Sequence, residues 1–144
     1  MSAAPSPTAS PALLLGIDHV AITVADMDTA CAFYDRLFGV KIVRDYAPNG
    51  RSFVRGIVLG GQTGMSLHQQ GNGVELVARK PTPGAVDICF TWGGPIEAAV
   101  AHLGTHGVEI IEGPSPRTTA RGLPAQSVYF RDPDGNLLEL MATD

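Results

Sequence analysis

The stretch IDHVAITVADMDTACAFYDRLFGV (17–40) changes its periodicity part-way along. Ile17 to Val24 is rich in β-branched residues and reads as a strand. Beyond it, Met27, Ala30, Cys31, Tyr34, Leu37 and Phe38 recur at helical spacing. Asp26 stands where it caps the start of that helix, and Gly39 where it ends it. Three short strands are expected next, over Val40–Arg44, Phe53–Leu59 and Met65–Gln69. The order is β-α-β-β-β.

The same order returns after a linker containing KPTPG. AVDICFTW is a strand, and PIEAAVAHLGTHG is a helix with Pro95 near its first turn and Gly107 past its end. VEIIE, AQSVYFR and NLLELM are strands, with DPDG a turn between the last two. Laid on each other, the halves put Asp87 on His19, Gly107 on Gly39, and Val108, Ile110 and Ile111 on Val40, Ile42 and Val43. After a change in loop length, Gly135 falls on Gly64, Leu138 on Leu67, and Glu139 on His68. The expected fold is therefore α+β: two βαβββ modules in tandem, 17–70 and 85–141, joined by a linker over 71–84. Together they make one domain, 15–142, whose curved, open sheet surrounds a cleft.

Composition narrows the function. At 144 residues, 44% hydrophobic and 17% charged, the chain fits one globular domain. A net charge of −4 without any basic run argues against nucleic acid as a partner. Residues 1–14 open as an Ala/Ser/Pro tail with nothing to bury, and disorder is expected there. LLLG is too short for a signal-peptide core, and no segment approaches a membrane span, so a cytoplasmic protein without membrane contact is expected. Cys31 and Cys89 both lie in apolar surroundings and read as buried, reduced thiols.

The register places a metal-capable side chain on the first and last strand of each module: His19 and His68, then Asp87 and Glu139. Each stands among apolar residues, where an isolated carboxylate is expensive to bury. If the first and last strands are neighbours and the modules are related by approximate two-fold symmetry, all four converge in the cleft. Two imidazoles and two carboxylates suit a divalent cation. Asp87 has a second role open to it, as a partner to an imidazole. Asp18 points to the opposite face of its strand and is no ligand. His102 and His106 lie off the buried face of the second helix, which Ile96, Ala99, Val100 and Leu103 define. Trp92 and Phe90, which follow Asp87, are candidates to line the cleft.

The paired modules, the opening DHVAITVADMDTACAFYDRLFGV and the closing YFRDPDGNLLEL resemble the vicinal oxygen chelate superfamily of glyoxalases, extradiol dioxygenases and bleomycin-resistance proteins. SLHQQ, KPTPGAVDICF and EGPSPRTTARG are further similar to the glyoxalase domain-containing proteins. The resemblance implies one divalent metal ion (Ni, Zn, Co, Mn or Fe(II)) at His19 and Glu139. His68 would stand where glyoxalase I carries a glutamate ligand, and Asp87 where a histidine is commoner. It implies a glyoxalase I-type lyase that chelates two adjacent substrate oxygens and stabilises an enediolate, with Glu139 as base and Asp87 as second candidate. The substrate is a small molecule with adjacent oxygens, thiol adducts included. Glutathione-type carboxylates would call on Arg117 and Arg121, in a loop suited to act as a lid, or on Arg51 and Arg55. A homodimer is implied as well. One alternative is an extradiol-type Fe(II) dioxygenase with His19, His68 and Glu139 as a facial triad and Tyr129 or Asp87 as acid/base. Another is a non-catalytic antibiotic-binding protein. A phosphonate-binding transferase fits poorly, because the lysines are only Lys41 and Lys80.

Overall fold

The computed structural model describes residues 13–144; for 1–12, the expected tail lies outside the described residues. The chain runs β1 (His19–Val24), α1 (Met27–Phe38), β2 (Lys41–Tyr46), β3 (Val54–Gly60), β4 (Thr63–Gln69), β5 (Asp87–Thr91), α2 (Ile96–Thr105), β6 (Glu112–Thr118), β7 (Pro124–Arg131) and β8 (Leu137–Ala142). These are the two βαβββ modules expected. Each folds as a four-stranded open sheet, ordered β1-β4-β3-β2 and β5-β8-β7-β6. In both, the first strand lies parallel beside the last, and the other pairs are antiparallel.

Helix α1 forms where the spacing placed it. The Asp26 carboxylate accepts from the Thr29 amide at 2.9 Å and from the Thr29 hydroxyl at 2.7 Å. Gly39, at φ 68°, ends the helix in a backbone conformation that side-chain-bearing residues avoid. Its buried face carries Met27, Ala30, Cys31, Phe33, Tyr34 and Leu37.

One core serves both modules. Ile22, Val24, Met65 and Leu67 of the first sheet join Val128, Phe130, Leu138 and Leu140 of the second, with apolar side chains of both helices among them. The Phe38 and Phe90 rings meet at 5.4 Å between centroids. A polar knot supplements them. Asp132 is 6% exposed and takes the Tyr34 hydroxyl from the other module at 2.7 Å. It also accepts from the Asp134 and Asn136 amides, each at 2.9 Å, and from the Asn136 side chain at 2.8 Å. Asn136 in turn holds the Val86 amide, and Asp134 the Ala25 amide. The DPDGN sequence is thus a structural staple between modules.

Three expectations change. VEIIE is not a strand; pairing begins at its end, and β6 occupies EGPSPRT instead. Two prolines made that segment look like a loop, but β6 is an edge strand and needs amide donors on one side only. Arg117 therefore sits on a strand rather than in a lid, while Arg121 remains in the β6–β7 turn. Cys31 is buried as expected, but Cys89 is exposed, because β5 is an edge strand and this residue faces outward.

Candidate functional site

Strand alternation divides each sheet into a core face and an outer face. In β1, Ile22 and Val24 are core, leaving His19, Ala21 and Thr23 outward. In β4, Met65 and Leu67 are core, leaving Ser66 and His68 outward. In β5, Ile88 and Phe90 pack inward and Asp87 and Cys89 outward. In β8, Leu138, Leu140 and Ala142 are core, and Leu137, Glu139 and Met141 are not. All four metal-capable residues thus stand on outer faces, as two half-sets: His19 with His68, and Asp87 with Glu139. Among the described residues, no three His, Cys, Asp or Glu side chains come together as a group able to hold a metal ion.

The pairing register corrects the sequence alignment of the halves. His19 lies across from Gly64 and Ala21 from Ser66; Asp87 lies across from Leu137 and Cys89 from Glu139. With His19 matched to Asp87, the counterpart of Glu139 is Ser66, and that of His68 is Met141. The glycines misled because they serve different ends. Gly64 is within β4, where a Cβ would come to 2.9 Å from the Ile57 carbonyl oxygen; Gly135 is in a turn at φ 85°.

The half-sets differ in polarity. His19 Nδ1 is 2.8 Å from the Asp18 carboxylate, so Asp18 is turned toward the imidazole rather than away from it. His68 is half-buried and its Nδ1 has no partner. Burial, then the charges of Arg44 and His19, lower its pKa. The linker covers this end of the face, enclosing a cavity of about 150 Å³ lined by Thr23, His68, Val74, Val77 and Pro81 among others. On the second sheet Glu139 is 9% exposed, and its Oε2 is buried without a partner. Cys89 is open to solvent on one side only: partial desolvation, and then the adjoining Glu139 carboxylate, push its thiol up to about 12. Tyr129 lies across from Glu139. Arg117 Nε donates to the Tyr129 hydroxyl at 2.8 Å, with its guanidinium 5.2 Å from the ring centroid.

Other candidates fall elsewhere. Trp92 and Phe90 pack on the core side, Trp92 against His102 at 5.4 Å, so neither joins the outward residues. His102 bonds the Leu37 carbonyl. Arg55 is committed to Ser52 at 2.8 Å, Asp28 at 3.4 Å and Asp45 at 3.5 Å. With Arg51 it lines a cavity of about 580 Å³ between the start of α1 and the β2–β3 loop, larger than the one at His68 but touching none of the four metal-capable residues. Sequence reasoning passed over Arg44 and Ser66, whose side chains meet on the outer face of the first sheet.

The donor set fits a divalent ion in kind: the buried, unpartnered Glu139 Oε2 is a lone-pair donor with nothing to bind, while His68 Nδ1, also unpartnered, lies four residues farther along the first sheet than the position across from His19. The set is divided between two outer faces of one chain.

A model of the Glyoxalase/Bleomycin resistance protein/Dioxygenase superfamily matches residues 16–140. Over 124 residues the chain is 40% identical to virulence protein STM3117 of Salmonella typhimurium, covering 86% of this chain and 81% of that protein. Against the crystal structure of the same protein the TM-score is 0.80, at 35% identity, covering 92% of this chain and all (100%) of that one. The chain is also 43% identical over 124 residues to glyoxalase domain-containing protein RDO1 of Mycosarcoma maydis, covering 86% of this chain and 66% of that protein. A lactoylglutathione lyase from Agrobacterium tumefaciens shares the fold at TM-score 0.69 and 20% identity, covering 90% of this chain and 95% of that one. With the module order, the parallel pairing of first and last strands and these matches together, the chain belongs to the glyoxalase/bleomycin resistance protein/dioxygenase superfamily.

Proposed function

We propose that the chain is a divalent-metal-dependent lyase or isomerase of glyoxalase I type, acting on a small molecule with adjacent oxygens. The observation that carries this reading is Glu139: a carboxylate nine-tenths buried in an apolar strand, one oxygen without a partner. Such a group is costly unless a cation or an acidic proton arrives. His19 would supply a neutral nitrogen donor, and Asp87 and Glu139 carboxylate oxygens; His68, four residues (roughly 13 Å) along β4 from the residue paired with His19, stands too far along the face to share that ion. The half-sets lie on faces turned away from the shared core, so a complete site calls for a second copy that sets one chain's first sheet against the other's second. When bound, the ion would act as a Lewis acid toward the two substrate oxygens.

The chain's own residues divide the remaining work. The Glu139 carboxylate, through the oxygen not held by the ion, would take the proton from the carbon beside the substrate carbonyl and return it to the neighbouring carbon. Asp18 fixes the His19 ring through Nδ1, leaving Nε2 as the donor. Tyr129, held by Arg117, offers a hydroxyl beside Glu139 to orient a substrate oxygen.

Metal analysis of protein purified without chelators tests the reading, with stoichiometric metal expected in the parent. His19→Ala and Glu139→Ala should each empty the site, while a mixed dimer of the two variants should recover part of the metal. Glu139→Gln should fold normally and lose turnover. Full activity in Glu139→Gln, or a metal-free parent that turns over substrate, would overturn the proposal. A metal-free parent that binds small molecules without turnover would place it with the superfamily's binding proteins instead.

A further inference from the structure

The first sheet's outer face carries a cation that the chemistry above does not use. Arg44 reaches across that face and donates through Nη2 to the Ser66 hydroxyl at 2.5 Å. Three features place it there. The β2–β3 register shifts between Ile42 and Arg44, so Val43 is bulged out; regular alternation would turn Arg44 toward the core side, beside Arg55. Position 56, in mid-strand, is a glycine, and a Cβ there would come to 2.9 Å from Arg44 Cγ and 3.1 Å from its Nε. A mid-strand glycine weakens its strand, yet here it gives the arginine a bed to lie on. Ser66 is 1% exposed and anchors the tip.

What Arg44 lacks is a counter-charge. Arg44 is exposed, and among the described residues no carboxylate lies within 4.0 Å of it. Its remaining N–H groups have no protein acceptor among those residues. The Ser66 hydroxyl, having accepted from Arg44, still has its own proton to give. The cluster presents the remaining guanidinium N–H groups and the Ser66 hydroxyl proton, on the face that also carries His19 and His68. Only an acceptor-rich group fits it, and a planar guanidinium beside a hydroxyl suits two coplanar oxygens.

We propose that Arg44 and Ser66, seated by Gly56 and the Val43 bulge, form a carboxylate-binding subsite, so that the ligand of this face is a small organic acid rather than a neutral carbonyl compound. The subsite lies within the proposed catalytic face and deepens that reading, but the charge recognition does not itself require a metal.

The test uses lactate, which pairs a carboxylate with an adjacent hydroxyl, and lactamide, its uncharged counterpart. Each is titrated by calorimetry into the protein as purified and again after chelation. Lactate should bind about tenfold or more tightly than lactamide. Arg44→Met should erase that preference, and Gly56→Ala should reduce it by displacing the guanidinium. Arg36→Met, on α1 with its guanidinium on the His106 carbonyl, should leave it unchanged. Thermal midpoints check that each variant is folded, and Arg44→Lys, which keeps the charge without the fork, should retain part of the preference. Equal binding of lactate and lactamide by the parent, or an undiminished preference in folded Arg44→Met, overturns the subsite. An Arg44-dependent preference that persists in protein taking up no metal supports the subsite while removing the metalloenzyme reading.

Discussion

Glu139 and His68 are the metal-capable residues among those with a buried polar atom that lacks a partner, a placement that works against folding and points to use. Replacing Glu139 by Leu removes a buried, half-satisfied carboxylate and should raise the thermal midpoint of chelated protein, although it would abolish metal uptake. A lowered midpoint would mean that the carboxylate is structurally satisfied. His68 adds a pH dependence. Its folded-state pKa lies below the ordinary 6.5, so the unfolded chain binds the proton more readily. Its contribution is complete above 6.5 and is lost as pH falls through the lowered folded value. The midpoint of metal-free protein should therefore drop on acidification through this window, and less so in His68→Gln. An identical pH profile in both proteins would show that His68 titrates normally.

At the scale of elements, the staple between α1 and the β7–β8 turn is the sharpest test. Tyr34→Phe leaves the buried Asp132 short of one donor, and a hydrogen bond to a charged group contributes about 1.5–3 kcal/mol. Urea denaturation should report a loss of that order with an unchanged slope. The same turn shows how much was legible beforehand. The repeat, the helix α1 with its cap, and most strand positions followed from periodicity, because apolar spacing and β-branched runs are local properties. The register of the last strands was not legible: Gly64 and Gly135 look alike in sequence, but one serves close packing and the other a turn. Arg44 was equally hidden, because the bulge that turns it outward leaves no mark in its neighbours' chemistry. Strand β6 escaped notice since its prolines are acceptable only at an edge, and an edge is defined by the whole sheet.

Across the whole molecule, the first sheet's outer face bears the Arg44 guanidinium between two imidazoles and the second bears Asp87 and Glu139 beside Arg117, so cation and carboxylate can meet when the two faces are set together. Cross-linking or light scattering should find the chain as a dimer, weakened by salt. A monomer at every concentration would leave the four metal-capable residues apart. No helix among the described residues is long and apolar enough to cross a membrane. The connector from Asn72 to Ala85 contains neither helix nor strand, whereas the interior on either side of it is continuous. A chain severed there, or produced as two separate polypeptides, should therefore reassemble on mixing, since each piece alone leaves bare the apolar surface that only the other can cover.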